Sequence, residues 1–367
     1  MKILLVEPNF PIPPKSKNHS SFLPIGLLKI AAYHQSKGDK VKLIRGNSPA
    51  GFVPDEIKIT SLFTYWSKYV KESVDYYRQR YPYAKIEVGG IYASLMPEHC
   101  KKYTGCDEVV VGLYRNGAAE EFEPAYELVN VDYQIMHASR GCFRHCSFCG
   151  VWKIEKKVSY KQSLKKEIKS NKLVFYDNNL LTNPFIENIL DEIAYAKINK
   201  KSVICESQSG FDGRILQEKP EIAKLLKKAR FHYPRIAWDG GMKHKDKIKD
   251  QIKILKSAGY SHKDIYAFML YNHESVSYLE MLEKLERCRK WGIQIIDCRF
   301  RPLNMTYERY NSRAVEQTAE DYHIASNWTD KQVRTFRKSV RRQNIAIRLD
   351  LPNYKYIVGI ENKFIEM

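Results

Sequence analysis

The sequence predicts an α/β chain in two parts, a doubly wound parallel sheet followed by a partial (β/α)6 barrel, with a short helical extension at the end. Three observations predict it. Short apolar stretches alternate with amphipathic ones along most of the 367 residues, as in parallel sheets built from strand–helix units. Glycines close several of these stretches, at Gly38, Gly89, Gly90, Gly112 and Gly292. An acidic, irregular stretch around residues 125 to 135, in EEFEPAYELVNVD, separates one run of alternation from the next. These features divide the chain into residues 1–125, 126–310 and 311–367.

In the first part, Ile3 to Glu7 reads as a strand, followed by the turn-rich PNFPIPPKSKNHSS. A helix opens near Pro24, where proline suits the first turn. Leu27, Leu28, Ala31 and Ala32 give it an apolar face, and Gly38 ends it. Strands are expected at Val41 to Ile44, Ile57 to Phe63, Ile86 to Val88 and Asp107 to Val111, with a helix over Tyr65 to Tyr81. Sheets of this kind bind ligands beyond the carboxyl ends of their strands. The loops after Glu7, Phe63, Gly90 and Gly112 are therefore the expected ligand edge.

In the second part, strands are expected at Tyr133 to Ser139, Leu173 to Tyr176, Val203 to Ser207, Arg235 to Trp238, Ile265 to Leu270 and Ile293 to Phe300. A helix over about 277–291 has Ser277 and Glu280 spaced as a capping box. Six such units suggest a partial barrel, whose reactive groups gather at the carboxyl ends of the strands. In the last part, a helix around Thr329 to Asn344 carries Val333, Phe336 and Val340 on one side. Arg334, Arg337, Lys338, Arg341 and Arg342 cover the rest. Such a face either grips phosphates or is simply the solvated side of a docked helix.

Composition narrows the classes. Hydrophobic residues make up 44% of the chain, enough for a sizeable core. No run of about 18 apolar residues suggests a membrane span, and MKILLVEPNF reads as a first strand and not as a signal peptide. A cytoplasmic location is expected. Eight cysteines are too few for a disulfide scaffold, and three are clustered, which favours a metal site in a reducing compartment. The net charge of +19 draws anions, whether nucleic acid or phosphorylated substrates. It is also what a lysine-rich surface gives without any specific partner.

The cluster is Cys142, Cys146 and Cys149 in SRGCFRHCSFCG, directly after the first strand of the second part. Thiolates bind soft metals and iron–sulfur clusters. A structural zinc site wants four ligands. His145 is the local alternative, but it is wedged between ligating cysteines. Three thiolates suit a four-iron cluster with one iron left open.

This C-x3-C-x2-C loop, with Phe148 just before the last cysteine, resembles the cluster loop of the radical S-adenosylmethionine (SAM) superfamily. The resemblance covers about residues 133–305. It implies a [4Fe-4S] cluster on Cys142, Cys146 and Cys149, with SAM chelating the fourth iron. It further implies reductive cleavage of SAM to a 5′-deoxyadenosyl radical and an external electron donor such as flavodoxin or ferredoxin. It places Phe148 near the adenine. Asp177, Asn178 and Asn179, after the second strand, stand where relatives bind the SAM amino group. The usual Gly-Gly-Glu is absent there, and a helix N-cap is the plainer role for the triplet. Glu206 and Gln208, sharing a face at the third strand, are candidates for SAM ribose or methionine. Asp239, at the end of the fourth strand, is a weaker candidate, and Cys298, on the sixth, reads as core with a radical-active thiol as the alternative.

Residues 1–115 resemble the cobalamin-binding-type domain found in front of many such enzymes, through LPIGLLKIAAYHQSKGDKV, ITSLFTYW and VGGIYASLMPE. The resemblance gives Ser61, Gly89 and Gly90 to cobalamin, and it implies methyl transfer if cobalamin binds. Two features depart from it. No Asp-x-His-x-x-Gly motif is present, and the loop after VVVG reads LYRNGAAEEF. Without cobalamin, oxidation, rearrangement or sulfur insertion remain open. A methylthiotransferase would want three more cysteines in front, where only Cys100 and Cys106 lie. The rival from another class is a non-catalytic nucleic-acid-binding iron–sulfur protein.

Overall fold

The computed structural model describes residues 1–12 and 22–351. The end of the turn-rich stretch after Glu7 lies outside them. The chain forms two compact units. The first takes Met1–Asp132, Gly141–Val158 and Pro302–Arg309, and the second takes Tyr133–Arg140, Ser159–Arg301 and the chain from Tyr310 onward.

The first unit is a mixed α/β layer structure. Strands β1 (Lys2–Glu7), β2 (Lys40–Arg45), β3 (Glu56–Ser61), β4 (Lys85–Gly90) and β5 (Glu108–Val109) form one parallel sheet in the order β2-β1-β3-β4-β5. The order reverses at β1, so the crevice between β1 and β3 is the topological switch point. Its helices are α1 (Ile25–Gln35), α2 (Ser67–Arg80), α3 (Ile91–Leu95), α4 (Pro97–Thr104) and α5 (Val151–Ile154).

Strand parity sorts the core onto two faces. Leu4, Val6, Ile57, Ile59, Ile86 and Val88 pack with Val70, Val74, Tyr77, Tyr92 and Cys100 of α2, α3 and α4. Ile3 and Leu5 pack with Leu27 and Ala31 of α1. Lys58, level with Leu5 in the sheet, is only 2% exposed. It is paired with Glu87 at 2.6 Å and Glu56 at 2.7 Å, as a buried charge must be. The acidic stretch that separates the two runs of alternation, read as a linker, is partly built in. Ala125 joins the α1 core, and its N–H donates to the Leu28 carbonyl at 3.0 Å.

The second unit contains β6 (Gln134–Met136), β7 (Ser139–Arg140), β8 (Ser159–Tyr160), β9 (Lys172–Phe175), the hairpin β10 (Lys197–Ile198) and β11 (Lys201–Ser202), β12 (Ile204–Ser207), β13 (Phe231–His232), β14 (Arg235–Ala237), β15 (Tyr266–Tyr271) and β16 (Gln294–Arg299). Its helices are α6 (Ile186–Tyr195), α7 (Gly213–Glu218), α8 (Glu221–Lys228), α9 (Lys245–Ser257), α10 (Tyr278–Trp291) and α11 (Asp330–Arg348).

Strands β6, β9, β12 and β13 pair in parallel in that sequence order, as do β14, β15 and β16. The chain turns between β13 and β14 at Tyr233, which has φ of 55°, followed by Pro234. A parallel bridge from Phe211 to Ile236 links the two sheets there. Each strand expected in this part is found within a few residues of its expected place. Among the described residues no pairing joins β6 to β16, so the array is open and no closed barrel forms. No described helix is long and apolar enough to cross a membrane.

One cap departs from expectation. Ser277 does cap α10, accepting from the Glu280 N–H at 3.2 Å. The Glu280 carboxylate does not reach back, however. It accepts from the Met242 N–H at 2.6 Å instead. A full capping box does form at α11, between Thr329 and Gln332.

Candidate functional site

The cysteine loop leaves β7 and returns to β8. These two strands pair antiparallel, Ser139 with Tyr160 and Arg140 with Ser159. At the loop's base Gly141 has φ of +75°, and a Cβ on it would stand 2.5 Å from the Lys157 carbonyl oxygen. Only glycine lets the two ends of the loop approach so closely. The Gly141 N–H donates to Glu155 Oε2 at 2.7 Å, closing the base.

Inside the loop, tight turns bring the Cys146 N–H to the Arg144 carbonyl and the Cys149 N–H to the Cys146 carbonyl, each at 3.0 Å. Trp152 Nε1 also donates to the Cys146 carbonyl at 3.0 Å. The Arg144 N–H points at Cys142 Sγ, 3.4 Å away, the kind of donor that stabilises a thiolate. Cys146 is exposed, Cys142 and Cys149 are half-buried, and no disulfide engages them. His145, the alternative fourth ligand, packs its ring against Trp152 at 5.2 Å. Phe148 is half-buried. The described residues include no set of three His, Cys, Asp or Glu side chains gathered as for a metal ion. What the loop offers is a donor set of three thiols on one short, internally bonded segment.

The triplet after β9 is disposed differently from its expected role. Asp177 is fully buried. Its Oδ1 accepts from the Ala138 N–H at 3.0 Å, the Ser139 N–H at 2.6 Å and Ser139 Oγ at 2.7 Å. The acceptor role expected toward an ammonium group is thus filled by the chain's own donors at the foot of β7. Burial pushes the Asp177 carboxyl up to about 6, against those same donors. Asn179 precedes a short 3-10 turn, Leu180–Thr182, without a side-chain cap bond, so the plain N-cap role is not realised either. Asn178 is half-buried and Asn179 buried. Sequence reading missed Asn183, which is buried and donates to the carbonyls of Ala138 at 2.8 Å and Lys161 at 3.0 Å. Its signal was the Asn-Pro step in LLTNPF, a turn former.

Glu206 and Gln208 do share a face, and Gln208 Nε2 donates to Glu206 Oε1 at 3.2 Å. The same Glu206 oxygen is paired with Arg235, and both side chains of that pair are largely buried. Arg235 also donates to the Ser207 carbonyl. The pair ties the end of β12 to the start of β14. Asp239 is half-buried, and burial raises its carboxyl against the pull of Lys284. Lys284 is itself buried and donates to the Gly240 carbonyl at 2.7 Å. Burial pushes the Cys298 thiol up to about 12, which makes it a poor nucleophile.

In the first unit, Ser61 is 1% exposed. Its hydroxyl donates to the Gly89 carbonyl at 2.7 Å and accepts from the Ala93 N–H at 3.0 Å. Gly90 has φ of +100°, and a Cβ there would lie 2.2 Å from the Ser61 carbonyl oxygen. Gly89 is less constrained, since its Cβ would meet Val110 at 3.5 Å. The serine hydroxyl and the conformation of Gly90 thus both serve the fold's own contacts at this edge.

The same carboxyl edge carries an aromatic cluster that sequence reading passed over. Phe63 stacks on Tyr65 at 5.0 Å and 6°, and Phe10 stacks on Trp66 at 5.5 Å. Phe63 is 42% exposed. Its signal was the run FTYW after a strand at the ligand edge. Cys100 and Cys106 are both buried. A hydrogen bond from Cys100 holds the Cys106 thiol below its ordinary range.

No protein-family model matches this sequence, and no curated protein matches it.

Proposed function

We propose that this chain is a radical SAM enzyme. The single observation that carries the proposal is a three-cysteine loop that leaves β7, shortly after β6, the first of six successive parallel strand positions in the sequence. The donor set fits the group. Three thiols and no fourth ligand suit a [4Fe-4S] cluster with an open iron better than a closed zinc site. Cys142, Cys146 and Cys149 are the residues that hold it. When bound, such a cluster supplies the electron for reductive cleavage of SAM at its sulfonium, with flavodoxin or ferredoxin as the external donor.

The remaining work belongs to the chain itself. The Arg144 N–H stabilises negative charge on Cys142. Trp152 fixes the carbonyl of Cys146, and Glu155 closes the loop base. Asp177 and Asn183 brace the strand ends that flank the loop. The proposal does not pass through cobalamin, since the observation that carries it is the cysteine loop alone.

The test is anaerobic reconstitution followed by SAM and dithionite. The wild type is expected to release 5′-deoxyadenosine, measured by chromatography, and Cys146→Ala to lose at least about 100-fold of that rate. A fully loaded wild type that leaves SAM intact overturns the proposal.

A further inference from the structure

On α2, α9 and α10 cations stand three or four residues from an acid, as in Lys71–Asp75, Lys253–Asp250, Arg287–Glu283 and Arg289–Glu286. Such pairs neutralise a helix face. Helix α11 departs from this pattern. Its sequence DKQVRTFRKSVRRQNIAIR has five arginines, two lysines and one acid, Asp330. Asp330 is buried, and it is held by Arg334 at 2.6 Å and Tyr322 at 2.9 Å. Lys331, Arg337, Lys338, Arg341, Arg342 and Arg348 are all exposed. Among the described residues none of Lys331, Lys338, Arg341, Arg342 and Arg348 stands in an ion pair. Arginine dominates this helix although lysine is the commoner cation in the chain as a whole. Arginine is the residue whose planar fork matches a phosphate.

The opposite side of α11 is fastened down. Val333, Phe336, Val340, Ala346 and Ile347 are buried. Gln343 donates to the Leu285 carbonyl at 3.1 Å, and Asn344 bonds both the N–H and the carbonyl of Ile295, at 2.9 and 2.7 Å. The cationic side is thus a fixed stripe. At a rise of about 1.5 Å per residue it runs roughly 26 Å from Lys331 to Arg348, which spans several nucleotides at about 3.4 Å each. A helix lying on a bilayer needs its apolar face for the lipid, and here that face is used in packing. We infer that the exposed face of α11 binds the phosphate backbone of a nucleic-acid strand. The inference does not rest on the cluster or on SAM.

The test uses the full chain, without iron loading, and a fluorescein-labelled single strand of about 20 nucleotides, as RNA and as DNA. Anisotropy gives Kd across a salt series. The quadruple variant Arg337→Ala, Lys338→Ala, Arg341→Ala, Arg342→Ala is expected to weaken binding about 100-fold at low salt. Its slope of log K against log salt should be shallower by about 3, at roughly 0.7 per lost contact on a single strand. A matched variant, Lys243→Ala, Lys247→Ala, Lys249→Ala, Lys253→Ala, removes the same charge from exposed positions in or next to α9. It is expected to keep a near wild-type slope. Loss of the α11 slope with either oligonucleotide supports the inference. Equal losses in the two variants show a diffuse charge effect and overturn it. So does binding of anionic vesicles without binding of either strand. Circular dichroism melts confirm that both variants are folded.

Discussion

Replacing Asp177 by alanine is expected to lower the unfolding free energy by about 3–5 kcal/mol. The carboxylate is the shared acceptor for two backbone N–H groups and one hydroxyl. Removing it leaves all three donors buried, each at a cost of about 1–3 kcal/mol before relaxation. Urea unfolding of the wild type and variant measures the loss directly. Asp177→Asn keeps one acceptor oxygen and should lose only about 1–2 kcal/mol at neutral pH.

The two carboxamide and carboxylate chains also separate with pH. Asp177 has an ordinary pKa of 3.8 that burial pushes up to about 6 in the folded chain. The folded chain therefore holds this proton more tightly than the unfolded one does. The Asp177 contribution to wild-type stability falls as pH rises from about 4 to about 6, by about 3 kcal/mol, and is then level. Asp177→Asn lacks this contribution, so its stability relative to the wild type rises over the same window. Parallel curves for the two proteins between pH 4 and 6 would contradict the burial assigned to this group.

Gly90→Ala is expected to be as damaging. The residue sits at φ of 100° and ψ of −164°, a region essentially reserved for glycine. A Cβ would lie 2.2 Å from one backbone atom of Ser61 and 2.9 Å from another. Neither strand can retreat, because Ser61 and Gly90 are paired in the sheet. Strain and overpacking together amount to about 4 kcal/mol or more. Gly89→Ala is the internal comparison. Its Cβ would meet Val110 at an ordinary 3.5 Å, so a change of under about 1 kcal/mol is expected. Denaturant midpoints of the two variants should differ by most of that gap.

The strands were legible in the sequence because their signals are local. Leu4, Val6, Ile57 and Ile59 alternate or run together as buried parallel strands require, and glycines mark their ends. The cysteine loop was legible for the same reason, being a spacing within one segment. What was not legible is direction. The sequence located Asp177 at a strand end, but not which way its carboxylate turns, since its partners Ala138 and Ser139 lie nearly 40 residues away. Glu206 and Gln208 were correctly set on one face, while Arg235, which pairs with Glu206, becomes its neighbour only through the sheet. Glu280 fitted a capping pattern by spacing, yet a backbone N–H from Met242 competes for it more closely. Ser61 and Gly90 suited a ligand edge by position, but their partners within the fold, Gly89 and Ala93 for the hydroxyl and the Ser61 backbone for Gly90, were not readable from it.

The kink at Tyr233–Pro234 has a consequence for cooperativity. It splits one strand position into β13, bonded to β12, and β14, bonded to β15. Among the described residues one backbone bridge, from Phe211 to Ile236, spans the gap, beside the Arg235 side chain that holds Glu206 and the Ser207 carbonyl. The hydrogen-bond ladder therefore divides into two blocks, β6-β9-β12-β13 and β14-β15-β16. Local opening spreads within a block of continuous pairing more readily than across a junction with so little backbone pairing. The two blocks are thus set to open as separate cooperative units, and Asp177 and Asn183 belong with the first.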